Sequence, residues 1–290
     1  QVSNTSPASI KNIESLEKPG TYCVTTGHQL CLFTGPLYFI YKIATTISLA
    51  RNLKEQFPEN DFVPVYWMAS EDHDFAEVNH FNLPGDTLRW NSEQDGPVGE
   101  FSTDELKALV PEIENVFGKT DKAQKLLQLF RDSYLGHSNL SHATRHLVNA
   151  LFGEHGLVIV DGNDKALKAL FREEFSNDIF NNTSLKAVNQ TVDELSSLGY
   201  EIQVTPREIN VFLLEKGGRS RIEKKENHYA AIGSTKIFSR EELEEIVTTT
   251  PDAAPAGFTT RPLSMSDTAA VFDVYAAQQR HDLGRVEVDE

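Results

Sequence analysis

The run Phe62-Val63-Pro64-Val65-Tyr66-Trp67-Met68 is apolar at consecutive positions rather than at alternate ones. A strand of that kind is buried on both faces, as in parallel sheets covered by helices. Tyr22-Cys23-Val24 and Leu157-Val158-Ile159-Val160 are shorter apolar runs bounded by turn residues, and they read as further core strands. Between the first two runs, Leu37, Ile40, Ala44 and Ile47 recur at the spacing of one buried helix face. Thr34-Gly35-Pro36 reads as the start of that helix, with Pro36 at the first helical position, where no donor is lost. Another helix is expected near residues 142–152, closed by Gly153 or Gly156. Strand, helix, strand, then helix, strand specifies an α/β fold with a mainly parallel sheet. Pro64 is a complication, because it removes a ladder donor.

Two stretches break this rhythm. Residues 84–135 open with a Pro/Gly-rich loop and continue as polar helices, with Ser102 and Glu105 at capping-box spacing. Residues 199–232 read as antiparallel, since Ile209–Leu214 and Ser220–Ile222 flank Gly217-Gly218, a hairpin signal. Ser239 and Glu242 repeat the capping-box spacing before a short helix. Both stretches read as insertions decorating one core.

At 290 residues, with 39% hydrophobic and 24% charged, the composition is globular. The net charge of −16 and the lack of a Lys/Arg block argue against a nucleic-acid surface. No apolar run approaches the roughly 20 residues of a membrane span. Two cysteines, Cys23 and Cys31, make no disulfide framework and suit a reduced, cytoplasmic setting. No signal peptide is visible, but the chain begins at Gln1, so a trimmed N-terminus is expected.

Polar clusters follow two of the strands, and open α/β sheets bind ligands at strand carboxyl ends. The first, Gly27-His28-Gln29 through Thr34-Gly35-Pro36, combines two glycines with a following helix N-terminus, a setting that favours an anion. It lacks the Walker and dinucleotide fingerprints, so it is either a ligand cradle or an ordinary connection. Tyr38 and Lys42 share a face of the following helix, and Lys42 is placed to reach a phosphate or to lie in solvent. The second cluster, Glu71-Asp72-His73-Asp74, packs three carboxylates and an imidazole into four positions. It suits a divalent metal. It equally suits a substrate ammonium or sugar hydroxyls, with His73 as acid/base, or a solvated turn. His80 lies seven residues beyond His73 and either joins it or serves at the surface. Cys31 is either a nucleophile or a small buried hydrophobe, and Cys23 is expected in the core. Arg207 is placed to pair with an acidic ligand or with a surface carboxylate.

As an ordered set these residues resemble a known family. Thr26-Gly27-His28-Gln29, Leu32-Phe33-Thr34-Gly35-Pro36-Leu37-Tyr38 and Lys42 are similar to its first signature, with His28 where Gln is common. Trp67 and Glu71-Asp72-His73-Asp74, with Glu77 and Asn79, resemble its second. Val98-Gly99-Glu100-Phe101, Gly156-Leu157-Val158 with Asp161, Pro206-Arg207-Glu208-Ile209-Asn210 and Arg261-Pro262-Leu263 follow in order. The family is the cysteine-adding enzyme of bacillithiol biosynthesis, and the likeness runs from about residue 20 to 263.

The resemblance implies a Rossmann-like, mainly parallel sheet flanked by helices, with a helical insertion and an antiparallel β-hairpin insertion. On that plan residues 1–83 are the first part of the core and 84–140 the connecting insertion. Residues 141–198 continue the core, 199–250 form the antiparallel insertion, and 251–290 return towards the core with a divergent polar tail. The implied reaction joins cysteine to the amine of glucosaminyl-malate, with ATP activating the cysteine carboxylate and ADP among the nucleotides the site would hold. The implied site comprises Gly27, His28, Gln29, Thr34, Gly35, Pro36, Tyr38 and Lys42 around nucleotide or anion. Trp67, Glu71, Asn79, Arg207, Asn210 and Arg261 would bind substrate, with Asp72, His73 and Asp74 catalytic; a metal requirement is left open. Full-length members are implied to dimerise through a C-terminal coiled coil, which does not follow here, and the family's N-terminal region is also missing. A partial chain, inactive alone and prone to associate through an open sheet edge, is therefore expected. Two other functions fit the same residues: a nucleotide- or sugar-binding module without catalysis, and a nucleotidyltransferase of the same superfamily.

Overall fold

A computed structural model describes residues 5–83, 85–215 and 218–249. Arg261 and the expected tail over 251–290 lie outside these residues. The element order is α1 (Pro7–Ser15), β1 (Thr21–His28), α2 (Tyr38–Gln56), β2 (Asp61–Met68), α3 (Phe75–Val78), β3 (His80–Leu83), β4 (Asp86–Arg89), α4 (Val110–Phe117), α5 (Asp121–Phe130) and α6 (Leu140–Phe152). It continues with β5 (Val158–Asp161), α7 (Lys165–Ala169), α8 (Arg172–Asn181), α9 (Thr183–Ser197), β6 (Phe212–Glu215), β7 (Gly218–Lys224), β8 (Tyr229–Ile232), β9 (Ile237–Phe238) and α10 (Arg240–Thr248).

The expected parallel sheet is present, in the order β1-β2-β5, with β2 central. Its residues alternate between two cores. Tyr66 and Met68 enter a large cluster with Phe39, Ile43 and Ile47 of α2 and Leu147 and Val148 of α6. Val63 and Val65 turn the other way, onto Val158, Ile13 and Leu16. Helices thus cover both faces, which is why β2 is apolar throughout. Pro64 is accommodated by register. The Asp61 N–H points at Gly20 of the β1 side, so residue 64, three positions on, aims its missing donor at the β5 side. Pairing with β5 starts only at Val65↔Val158, one residue later, so no ladder bond is lost.

The first inserted stretch is more than decoration. Leu106, Ile113, Leu127, Phe130 and Tyr134 join the same cluster as Tyr66 and Met68. Helices α4 and α5 are amphipathic, and their apolar faces complete the main core. An antiparallel hairpin, β3–β4, stands where this stretch begins. The later antiparallel sheet has the order β6-β7-β8-β9 and a second core of Ile209, Ile222, Tyr229 and Ala231 against Ile179 of α8 and Leu243 of α10.

Several local expectations need correction. Helix α2 begins at Tyr38, so Pro36 lies before the cap instead of at the first helical position. Its buried face is Phe39, Ile43, Thr46, Ile47, Ala50 and Leu53, so the expected Ile47 is buried, whereas Leu37 is 66% exposed and Ala44 is exposed. Cys23 is exposed, because β1 is an edge strand of the sheet among the described residues. Ser102 and Glu105 form no capping box: Ser102 N–H donates to Gln94 Oε1, and Glu105 Oε2 accepts from Trp90 Nε1 at 2.9 Å. At Ser239 and Glu242 the reciprocal box does form. His80 opens β3, after α3 has ended at Val78, and does not join His73.

Candidate functional site

His28, Met68 and Asp161 pair across the sheet, so the three parallel strands end side by side. The chain leaves β1 through Gln29, β2 through Ala69–Asp72 and β5 through Gly162. Ladder-like bonds continue past the strands: Ala69 N–H donates to His28 O at 3.1 Å, and Gly162 N–H to Met68 O at 2.9 Å. Two clusters 43 residues apart in sequence are thereby set against each other, and one amide joins them. Gln29 Nε2 donates to Asp72 Oδ2 at 2.8 Å and to Glu77 Oε2 at 2.7 Å. Burial works to raise the Asp72 pKa, but the Gln29 amide, the His73 N–H and the charges of His73 and Arg219 together hold it below the ordinary carboxylate value.

Gly27 and His28 belong to β1 itself, so the connecting loop is shorter than the cluster suggested and starts at Gln29. Lys42 Nζ donates to Gly27 O at 2.5 Å and closes the strand end onto α2. The His28 ring is buried between Tyr38 and Phe39, at centroid distances of 5.0 and 5.1 Å. Burial lowers its pKa, and the Lys42 charge adds to this, against the pull of the Gln29 carbonyl. Gly27, His28, Gln29, Tyr38, Lys42 and Ala69 line an open recess of about 340 Å³. Beyond Gln29 the backbone makes a short turn in which Phe33 (φ 44°) and Thr34 (φ 70°) are both left-handed, followed by Gly35 (φ 45°). Successive non-glycine residues there are strained, and Tyr134 holds them: its hydroxyl accepts from Phe33 N–H at 2.7 Å. Cys31 is buried beside His28. Its Sγ lies 3.6 Å from His28 Nδ1, but burial, helped by the Glu77 charge, pushes its thiol up to about 11, which disfavours the thiolate at neutral pH.

The second cluster divides. Glu71 turns away from Asp72, into a cleft of about 590 Å³ between the parallel strand ends and the antiparallel sheet. Trp67, Gly162, Lys168, Asn210 and Arg219 share this cleft. A Cβ at Gly162 would meet both Trp67 Nε1 and Met68 O at 2.8 Å, so only glycine lets the β5 exit lie against β2. His73 is 58% exposed in its side chain, with Nδ1 3.5 Å from Asp72 Oδ1, and Asp74 is exposed at the start of α3. No group of three or more His, Cys, Asp or Glu side chains among the described residues is arranged to hold a metal ion. Above the cluster, Val98 N–H donates to Asp72 O at 2.8 Å and Gly99 N–H to Ser70 O at 3.0 Å. The first inserted stretch therefore braces the Ala69–Asp72 loop.

Other expected site residues stand elsewhere. Asn79 is buried and accepts from Arg89 Nη1 at 3.0 Å, tying down the β3–β4 hairpin. Asn210 lines the cleft, but its backbone N–H donates to Asp178 at 2.6 Å and its amide reaches the same carboxylate at 3.3 Å. Arg207 and Pro36 are exposed. Sequence reasoning passed over Tyr134, Lys168 and Arg219. The first sits in a stretch read as polar helix, and the other two look like solvated charges of a helix and a strand. No described helix is long and apolar enough to cross a membrane.

Comparison with known proteins agrees with the geometry. The family described as "Bacillithiol biosynthesis BshC, N-terminal Rossmann-like domain" matches residues 1–269. A protein of Flavobacterium johnsoniae named "Putative cysteine ligase BshC" is 45% identical over 254 residues, 87% of this chain and 47% of its own length. Proteins with the same name from Cytophaga hutchinsonii (38%, covering 87% and 47%) and Chloroherpeton thalassium (30%, covering 96% and 51%) are also similar. The chain spans about half the length of these relatives. A match over nearly the whole chain, on a parallel sheet whose strand ends carry both signatures, leaves one assignment: the chain belongs to the family of bacillithiol biosynthesis BshC N-terminal Rossmann-like domains.

Proposed function

We propose that the protein containing this chain is a carbon–nitrogen ligase that adds cysteine to the amine of glucosaminyl-malate in the last step of bacillithiol biosynthesis. The observation that carries this reading is the Gln29 bridge to Asp72 and Glu77, which joins the two family signatures at one sheet edge. The likeness to relatives named as cysteine ligases supports the reaction class.

In this reading ATP activates the cysteine carboxylate. The recess beside the N-terminus of α2 would hold its phosphates, with Lys42 exchanging the Gly27 carbonyl for a phosphate oxygen. The substrate amine attacks the activated carboxyl carbon, the amide bond forms, and the phosphate-bearing group leaves. His73, exposed beside the ionised Asp72, is the base that takes the amine proton, and Asp74 adds negative charge at the same loop. The inserted stretches, 84–140 and 199–250, wall the site. The whole enzyme works in the cytoplasm as a homodimer joined by a coiled coil outside this chain.

The test is bacillithiol formation by the full-length protein, followed by mass spectrometry. Asp72→Asn and His73→Ala should each lower the rate by about 100-fold or more, the usual scale for acid–base residues. Unchanged product formation in both variants would remove this assignment.

A further inference from the structure

Helix α9 is 15 residues long, yet none of its residues is buried. Its apolar residues are nevertheless ordered. Leu185, Val188, Val192 and Leu195 recur at steps of three and four, which sets them along one face. The first three are only half-buried and Leu195 is exposed. None of the four joins any of the three apolar clusters of the fold. A helix of this length gains little from propensity alone and is held mainly by packing of its apolar face. The face of α9 therefore lacks full cover among the described residues.

The apolar face continues past the helix. Gly199 N–H donates to Ser196 O at 3.0 Å and Tyr200 N–H to Leu195 O at 3.1 Å, with Gly199 at φ 83°. This is a Schellman turn, and it brings the chain at Tyr200 back to Leu195. Leu198 (72%), Tyr200 (65%), Ile202 (40%) and Val204 (64%) are all exposed. Tyr200, Ile202 and Val204 alternate with Glu201 and Gln203, the pattern of a strand with one apolar side. Yet residues 201–205 lie in no described strand and take part in no backbone hydrogen bond among the described residues. Large apolar side chains exposed together, next to unpaired backbone, mark an interaction surface.

Length and direction point to what covers it. This chain spans 47–51% of the length of its relatives, and the family it matches is described as an N-terminal domain. A full-length member therefore carries about as much polypeptide again after this domain. The described residues end at Thr249, whose carbonyl accepts from Arg172 Nη2 at 3.4 Å at the start of α8. Helix α9 begins directly after α8, whose 10 residues span about 15 Å. Polypeptide leading on from Thr249 thus starts on the side of the fold that carries α9.

We propose that the apolar face of α9, continued by residues 198–204, is the docking face for the C-terminal half of the full-length protein, packed on it within one polypeptide. That half presents an apolar face to α9, and the free backbone groups of 201–205 are available to pair with an extended segment of it. The inference rests on family membership and is independent of the ligase reaction.

The test is hydrogen–deuterium exchange, read by mass spectrometry, on the full-length protein and on the 290-residue chain at the same low concentration. Peptides covering 185–204 should exchange about ten-fold or more slowly in the full-length protein. Those covering α4 and α5, whose apolar faces are already packed in the main core, should keep their rates. Leu198→Asp supplies a second reading. In the short chain it should leave the urea midpoint unchanged, because the side chain faces solvent there. In the full-length protein it should speed exchange over 185–204 about ten-fold. Equal exchange of 185–204 in both proteins would overturn the proposal, as would slowing shared equally by α4 and α5. A Leu198→Asp variant that is silent in the full-length protein, or that destabilises both proteins alike, would do the same. Protection that arises in the short chain as its concentration is raised, with dimers in sedimentation, would assign the face to a second copy and so overturn it too.

Discussion

Gln29 Nε2 donates at 2.8 Å to Asp72 Oδ2, across a sequence separation of 43 residues. That bond exists because β1 and β2 run parallel in register and end together at His28 and Met68. The same nitrogen donates its second proton to Glu77, so one neutral amide holds two carboxylates that would otherwise repel. Replacing Gln29 by Glu sets a third carboxylate against them. Gln29→Glu should lower stability by about 1–2 kcal/mol in urea unfolding, and Gln29→Ala by about 1 kcal/mol, since these groups are partly solvated. The Glu variant should recover stability at low pH as its carboxylates protonate, and the Ala variant should not.

Stability should fall with acid for two separate reasons. Asp72 has a folded pKa below its ordinary value, so its contribution is present above that ordinary value and is lost as pH falls through the folded pKa. His28 also has a lowered pKa, because its ring is buried neutral. The unfolded chain takes up that proton first, near pH 6.5, so stability declines from there down towards the depressed folded pKa. His28→Gln keeps a polar side chain that does not titrate. Unfolding measured from pH 7 to 5 should show a shallower decline for His28→Gln than for the parent. Equal slopes would show that His28 titrates as in the unfolded chain.

The parallel core was legible because its strands are short apolar runs and α2 carries a helical period. The site was legible only in outline. Gly27 and His28 look like loop residues in sequence, since glycine and histidine have low strand preference, yet β1 carries them because β2 offers partners at Trp67 and Met68. The β3–β4 hairpin was missed because four-residue strands show little alternation. Ser102 and Glu105 have the right spacing, but Gln94 and Trp90 compete for them, and spacing holds no information about competitors. Glu71 and Asp72 are adjacent in sequence, yet Glu71 lines the cleft while Asp72 is bonded by Gln29, which no pattern of residue types would reveal.

Cysteine chemistry gives a direct check on burial. Cys23 lies exposed on β1, although partial burial raises its thiol pKa too, while Cys31 is buried with its thiol pushed up to about 11. Treatment of the native chain with iodoacetamide at pH 8 should add one group, at Cys23, as read by intact mass and peptide mapping. The second group should appear only in denaturant. Rapid native labelling of Cys31 would contradict the packing around His28.

Gly99 is the point where the first inserted stretch touches the site loop. A Cβ there would meet Ser70 Cβ and Ser70 O, both at 2.7 Å. The second contact is backbone, which cannot swing aside. Gly99→Ala should therefore push the 98–100 turn off the Ala69–Asp72 loop and weaken the Val98 N–H bond to Asp72 O. The expected cost is about 1–3 kcal/mol in urea unfolding, with faster amide exchange at Val98.

Tyr134 supports the site from below. It is fully buried, and its hydroxyl accepts from the N–H of Phe33, the first of two left-handed residues in the turn after Gln29. Tyr134→Phe keeps the ring and removes only that acceptor. The Phe33 amide is then left without its partner, at a cost of about 1–3 kcal/mol. The strained turn gains a reason to relax to right-handed φ values, which would carry Gly35 and the start of α2 away from Gln29. Amide exchange at Phe33 and Thr34 should accelerate, while exchange in the buried strand β2 changes only by the loss of global stability. In the full-length protein, bacillithiol formation should drop further than that stability loss explains, because the recess beside Lys42 depends on this turn. If exchange accelerates uniformly through the chain, Tyr134 serves the core alone and has no particular hold on the site.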